Sequence, residues 1–204
     1  MGRPREHDEA TAAALLSAAE RIVERGGLRA LSVRRVATEA GTTNRAVYSL
    51  FGSKDGLVVA LGAHSFGLLE QRVRELAITD DPILDLVDAG LHGFRPFALE
   101  HPSLFVLAVQ KYDVPPEVAA RFRRAADSAM QQLLTRLRRL ESAGLLAGRD
   151  IHDAAMHFHA LCEGLAGLEL RGVITPDRAE RAWHDGLSAL TAGFAASPPD
   201  TDPT

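Results

Sequence analysis

Thr43, Asn44 and Arg45, followed by Tyr48, Ser49 and Lys54, form the stretch of this 204-residue chain whose side chains are hardest to explain as packing. An asparagine amide presents a donor beside an acceptor, which matches the major-groove edge of adenine, and an arginine fork matches guanine in the same way. Tyr48 and Ser49 are suited to phosphate oxygens or a thymine methyl. Lys54, one of two lysines, follows Ser53 at the start of a predicted helix. There its ammonium and the free N–H groups of the first turn make a phosphate clamp. Ser32, Arg34 and Arg35 lie just upstream and can add backbone contacts. For each arginine the competing reading is a solvated surface charge.

These groups need two short helices to hold them. Val33, Val36 and Ala37 recur at i, i+3, i+4, the spacing of one helical face. Ser32 stands where an N-cap hydroxyl accepts from a first-turn N–H. Gly41 follows at the C-terminal side, where a left-handed backbone costs glycine nothing. Thr43 is a second cap, opening a helix with Ala46, Val47 and Phe51 inward and Asn44, Arg45, Tyr48 and Ser49 outward. Residues 32–51 therefore read as a helix-turn-helix whose second helix presents its polar N-terminal end to a DNA groove.

The run TTNRAVYSLFGSKDGL resembles the signature of the TetR family of bacterial transcriptional regulators, with Gly41, Ala46, Tyr48, Phe51, Lys54 and Leu57 at matching positions. Three positions depart from the common pattern: Thr42, Arg45 and Leu50. They put the operator sequence beyond analogy. Helical segments throughout, with no alternating strand pattern, read as an all-α fold of about nine helices, and the resemblance implies a homodimer on a near-palindromic operator. It also implies release by a small-molecule effector, most often from a repressor.

Composition fits that reading. Aromatic residues are few and Ala, Leu and Arg abundant, which favours helices. The net charge is −4, but residues 1–56 carry nine Arg/Lys against seven Asp/Glu, so a mildly basic head precedes an acidic remainder. A single cysteine, Cys162, excludes an intramolecular disulfide. With no apolar run of spanning length and no signal peptide, the expectation is a soluble, cytoplasmic protein without a membrane.

In chain order, residues 1–8 read as an extended basic arm, because Pro4 disfavours a helical Arg3. Arg3 and Arg5 either enter a minor groove or belong to a solvated terminus. Residues 9–69 form the DNA-binding domain and 70–196 a ligand-binding and dimerisation domain. The Pro-rich tail 197–204 is expected to be disordered. Pro82 suits a first helical position and Pro96 should distort the helix that follows.

Near residues 151–171, one broad apolar face includes Phe158, Leu161 and Cys162. A stripe of Ala160, Gly164 and Gly167 recurs in the last helix as Gly186, Ala189 and Gly193, which would allow close approach of a second chain. HFHALCEGLAGLELRG also resembles a C-terminal subclass of the family. Gly164, Leu168 and Glu169 match, whereas Glu163 replaces a His and the preceding Trp is missing.

A mostly apolar effector cavity is expected around Phe94, Phe97, Leu104, Phe105, Phe158 and Leu161, with His92, Arg95 and Tyr112 to orient the ligand. Gly90, Gly93 and Pro96 would loosen the packing there. His152, Met156, His159 and Glu163 share a stripe that reads as a polar-ligand site or as plain helix surface. No catalytic, cofactor or metal set is assigned, since phosphate loops, nucleophile elbows and zinc spacings are missing. The alternatives are a DNA-binding regulator without an effector, and a helical enzyme using the scattered histidines.

Overall fold

The computed structural model describes residues 3–110, 114 and 116–196, with side chains from residue 8 onward. The tail 197–204 and Tyr112 lie outside the described residues. Among those residues every regular element is helical: α1 (Arg3–Gly26), α2 (Val33–Glu39), α3 (Asn44–Phe51), α4 (Lys54–Glu75), α5 (Pro82–Asp88), α6 (Arg95–Glu100), α7 (Pro102–Ala108), α8 (Pro116–Ser142), α9 (Ile151–Leu170) and α10 (Pro176–Ala195). A single 3-10 turn, Leu28–Ala30, follows α1. α5 and α6 are joined through a π-helical stretch, Ala89–Phe94, so 82–100 is one continuous rod and the helices number nine among the described residues.

Two compact units divide the chain. One comprises Met1–Leu68 and His101–Asp127. Its core gathers Leu15, Ala19, Ile22 and Val23 of α1, Leu31, Val36 of α2, Val47 and Phe51 of α3, and Leu57 and Leu61 of α4. α7 adds Leu104 and Leu107 to the same core. Glu24 of α1 fixes it there by accepting from the N–H groups of Ser103 and Leu104, both at 3.2 Å. The segment 101–127 thus packs with the head, although its place in the chain had put it in the body. Only the fold reveals that α7 uses a carboxylate from α1 as its cap.

The caps follow the sequence. Ser32 accepts from Arg35 N and Thr43 from Ala46 N, each at 3.3 Å, and Gly41 has φ +66°. The arm does not. α1 is helical from Arg3, where extended backbone was expected, because Pro4 in a first turn gives up only an N–H that lacks an intrahelical acceptor anyway. The side chains of Arg3 and Arg5 lie outside the described ones.

The second unit comprises Leu69–Glu100 and Ser128–Thr204. Asp81 caps α5 through Ile83 N and Leu84 N, with Pro82 at the first helical position, and Asp150 caps α9 through His152 N and Asp153 N. The π stretch lies just ahead of Pro96, which cannot donate to the preceding turn, so the widened turn absorbs the missing bond. Phe94, Phe97, Leu137, Leu140, Phe158, Cys162, Trp183 and Leu187 fill the core.

Candidate nucleic-acid interface

The turn between α2 and α3 sets the direction of every side chain on the reading surface. Val47 is fully buried and Phe51 nearly so, which rolls Asn44, Arg45, Tyr48 and Ser49 outward. Tyr48 is 54 % exposed, an unusual position for a large aromatic with no packing role. Gly52, at φ +74°, ends α3, and Ser53 Oγ accepts from Gly56 N at 2.9 Å to open α4. Gly56 is a sequence signal that was missed: a Cβ there would fall 1.9 Å from the Phe51 carbonyl oxygen. Only glycine lets the α3–α4 corner close, and that corner carries Lys54, which is exposed at the first position of α4.

Which cations stay available is decided by pairing. Arg21 and Arg25 of α1 both bind Glu39 at the end of α2 and hold its carboxyl below the usual range. Arg35 Nη1 donates to the Ala30 carbonyl at 3.0 Å, which ties that side chain to the loop. Arg34, Arg45 and Lys54 have no carboxylate partner among the described residues and lie exposed. Ser32 is half-buried and already serves as cap.

The body residues singled out from sequence separate into three groups. Phe94, Phe97 and Phe158 are buried and Leu161 is half-buried in the second unit, while Leu104 and Phe105 belong to the first. His92, expected to orient a ligand, is exposed and lies 3.7 Å from Asp88. Arg95 is spent on Glu169: Nε donates at 3.0 Å to Oε2 and Nη2 at 2.9 Å to Oε1.

Nor do Gly90 and Gly93 loosen the rod. A Cβ at Gly90 would meet Leu187 Cδ1 at 2.6 Å, and at Gly93 Val73 Cγ2 at 2.9 Å; both are points of close approach. Of the small stripe, Ala160, Gly164, Ala189 and Gly193 are exposed, with nothing within 4 Å of a Cβ at Gly164 or Gly193. Gly186 instead faces Leu161 and Leu165 of its own chain, and Gly167 lies beneath Arg171. His152 and Met156 are exposed, whereas burial lowers the pKa of His159 against the opposing pull of Glu163. Among the described residues no three His, Cys, Asp or Glu side chains are grouped to hold a metal, and no helix is long and apolar enough to cross a membrane.

The model for bacterial regulatory proteins of the tetR family matches residues 15–61, and that for the tetracyclin repressor-like C-terminal domain matches 87–190. The chain belongs to the TetR family. It is therefore a DNA-binding regulator of transcription with a helix-turn-helix head. No match was found among the curated proteins.

Solved structures share the TetR-type fold at low identity. A protein of unknown function from Rhodococcus sp. RHA1 is 23% identical with TM-score 0.77, over 91% of this chain and 96% of that one. The transcriptional regulator FadR from Bacillus subtilis, in complex with stearoyl-CoA, is 16% identical with TM-score 0.68, over 89% and 98%. A transcriptional regulator from Saccharomonospora viridis, in complex with choline, is 21% identical with TM-score 0.68, over 87% and 95%.

Proposed function

We propose that this chain is a repressor that binds a near-palindromic operator as a homodimer and is released by a small, largely apolar effector. The observation that carries the reading is the row of exposed Asn44, Arg45, Tyr48 and Ser49 on α3 with Lys54 at the start of α4. Asn44 and Arg45 at the helix start read base edges; Tyr48 and Lys54 bind phosphate. Two identical heads related by a two-fold axis read two half-sites, which makes the operator palindromic.

The dimer forms through α9 and α10, whose Ala160, Gly164, Ala189 and Gly193 offer a surface low enough for close helix contact, beside Met156 at 53 % exposure. The effector enters beside the rod 82–100 by displacing side chains such as Leu187 and Val73, which couples binding to helix position. That relatives of the same fold hold stearoyl-CoA or choline supports a small-molecule response.

The test is operator binding by anisotropy. Tyr48→Phe and Lys54→Ala should each weaken binding by about 1 kcal/mol without lowering stability, and Lys54→Ala should reduce the salt slope by about one. Gly164→Leu should sediment as a monomer and lose operator affinity with it. Variants that bind like the parent would remove the head from the reading surface.

A further inference from the structure

α8 carries Arg136, Arg138 and Arg139, and they meet very different fates. Arg138 is exposed. Arg139 binds the Asp85 carboxylate and the Thr79 carbonyl. Arg136 is 2 % exposed, yet among the described residues its guanidinium makes one hydrogen bond, Nη2 to the Val73 carbonyl at 2.9 Å, in the last turn of α4. Its Nε has no hydrogen-bond partner among the described residues.

Arginine cannot shed its charge by deprotonating in a protein, so burial leaves that N–H without an acceptor and that charge without a hydrogen-bonded carboxylate among the described residues. Burial depresses its pKa, while Asp85 and Asp88 oppose the shift. Asp85 does not complete the pair, for its oxygens are taken by Thr79 N, Thr79 Oγ1 and Arg139. The guanidinium lies at an informative place. Val73, whose carbonyl it holds, packs with Leu76 against Gly93, inside the π stretch.

We propose that Arg136 anchors the anionic end of an amphiphilic monocarboxylate effector, seated between the last turn of α4, the π stretch and α8. The proposal rests on the ligand-responsive reading above and names the chemistry of its ligand. A carboxylate supplies an acceptor for Nε and a directly paired charge at once, in a charge-assisted hydrogen bond. A single charge fits better than a phosphate dianion, because Asp85 and Asp88 stand close by. Val73 and Leu76 suit an apolar tail.

The test uses the whole 15N-labelled protein without DNA, so its outcome is independent of operator binding. The Nε–H resonance of Arg136 is identified by its loss in Arg136→Lys. Decanoate, phenylacetate and their methyl esters are titrated at constant ionic strength. At least one acid should move that resonance saturably and bind roughly tenfold to a hundredfold more tightly than its ester. Arg136→Gln should erase the difference; if that variant does not fold, the comparison of acid with ester in the wild-type protein decides. Equal affinity for acid and ester, a stationary Arg136 resonance, or no saturable binding by either acid overturns the proposal. If the esters bind as well as the acids, the apolar-effector reading stands and only the anionic anchor falls.

Discussion

On α3 and at the start of α4, Arg45 and Lys54 lie in solvent with no ion pair among the described residues, whereas in the other unit Arg95 and Arg139 are held against Glu169 and Asp85. Arg45 and Lys54 stay hydrated, so they cost folding little. The second unit withdraws two carboxylates from water: Glu169 is 9 % and Asp85 1 % exposed at the side chain. Each such charge then depends on particular partners. Glu169 takes the Arg95 fork and also accepts from Trp183 Nε1 at 2.8 Å, joining the rod 82–100 to α9 and α10. Exposed charge is what the proposed recognition surface requires, and buried charge fixes which helices pack together.

The sharpest way to break this contrast is to remove one charge from each unit. Glu169→Ala should cost about 3–5 kcal/mol, because it strands the Arg95 charge and leaves the Trp183 N–H unpaired. Arg45→Ala should change stability by no more than about 0.5 kcal/mol. Urea unfolding measures both. Comparable losses from the two variants would mean that the units handle charge alike.

Glycines extend the comparison to packing. Gly67, within α4 of the head unit, is exposed with nothing within 4 Å of a Cβ, so Gly67→Ala should stabilise by roughly 0.5–1 kcal/mol through helix propensity. Gly90→Ala should destabilise by about 1–3 kcal/mol, since Leu187 and Phe158 already occupy the space. A gain at both positions would show that Leu187 relaxes freely and that the rod is loosely packed after all.

How much of this was legible in the sequence follows the same division. The reading surface is local. Caps at Ser32 and Thr43, the turn at Gly41 and the inward Val47 and Phe51 lie within twenty residues of one another, so periodicity and cap chemistry suffice. The distortion ahead of Pro96 was legible for the same reason, since a missing N–H acts on its own helix.

The partners of Arg95, Arg139 and Arg136 were not. Their contacts span 74, 54 and 63 residues, and no periodicity marks which of Arg136, Arg138 and Arg139 on α8 turns inward. Gly90 and Gly93 misled in the same way. A small residue marks a close approach as readily as an opening, and the choice depends on what the opposite helix presents.

The smallest expected effect is optical. Trp183 is the sole tryptophan and is fully buried, so its emission reports the carboxylate it bonds. Burial pushes the Glu169 carboxyl up, but hydrogen bonds from Arg95 and Trp183 outweigh it and hold the group below its ordinary value. A depressed folded pKa contributes stability that is present above the unfolded value of about 4.3 and is lost as pH falls through the folded one. Emission should therefore stay constant from neutral pH to below about 4.3, then change in one step before the head unfolds. Glu169→Gln, which keeps an acceptor for Trp183 but cannot titrate, should show no such step. Glu39 in the head is also held below its usual range, by Arg21 and Arg25, but at the surface, so Glu39→Gln should leave the acid profile unchanged. A step that persists in Glu169→Gln, or that disappears in Glu39→Gln, would place the acid sensitivity outside the buried pair and dissolve the distinction between the two units.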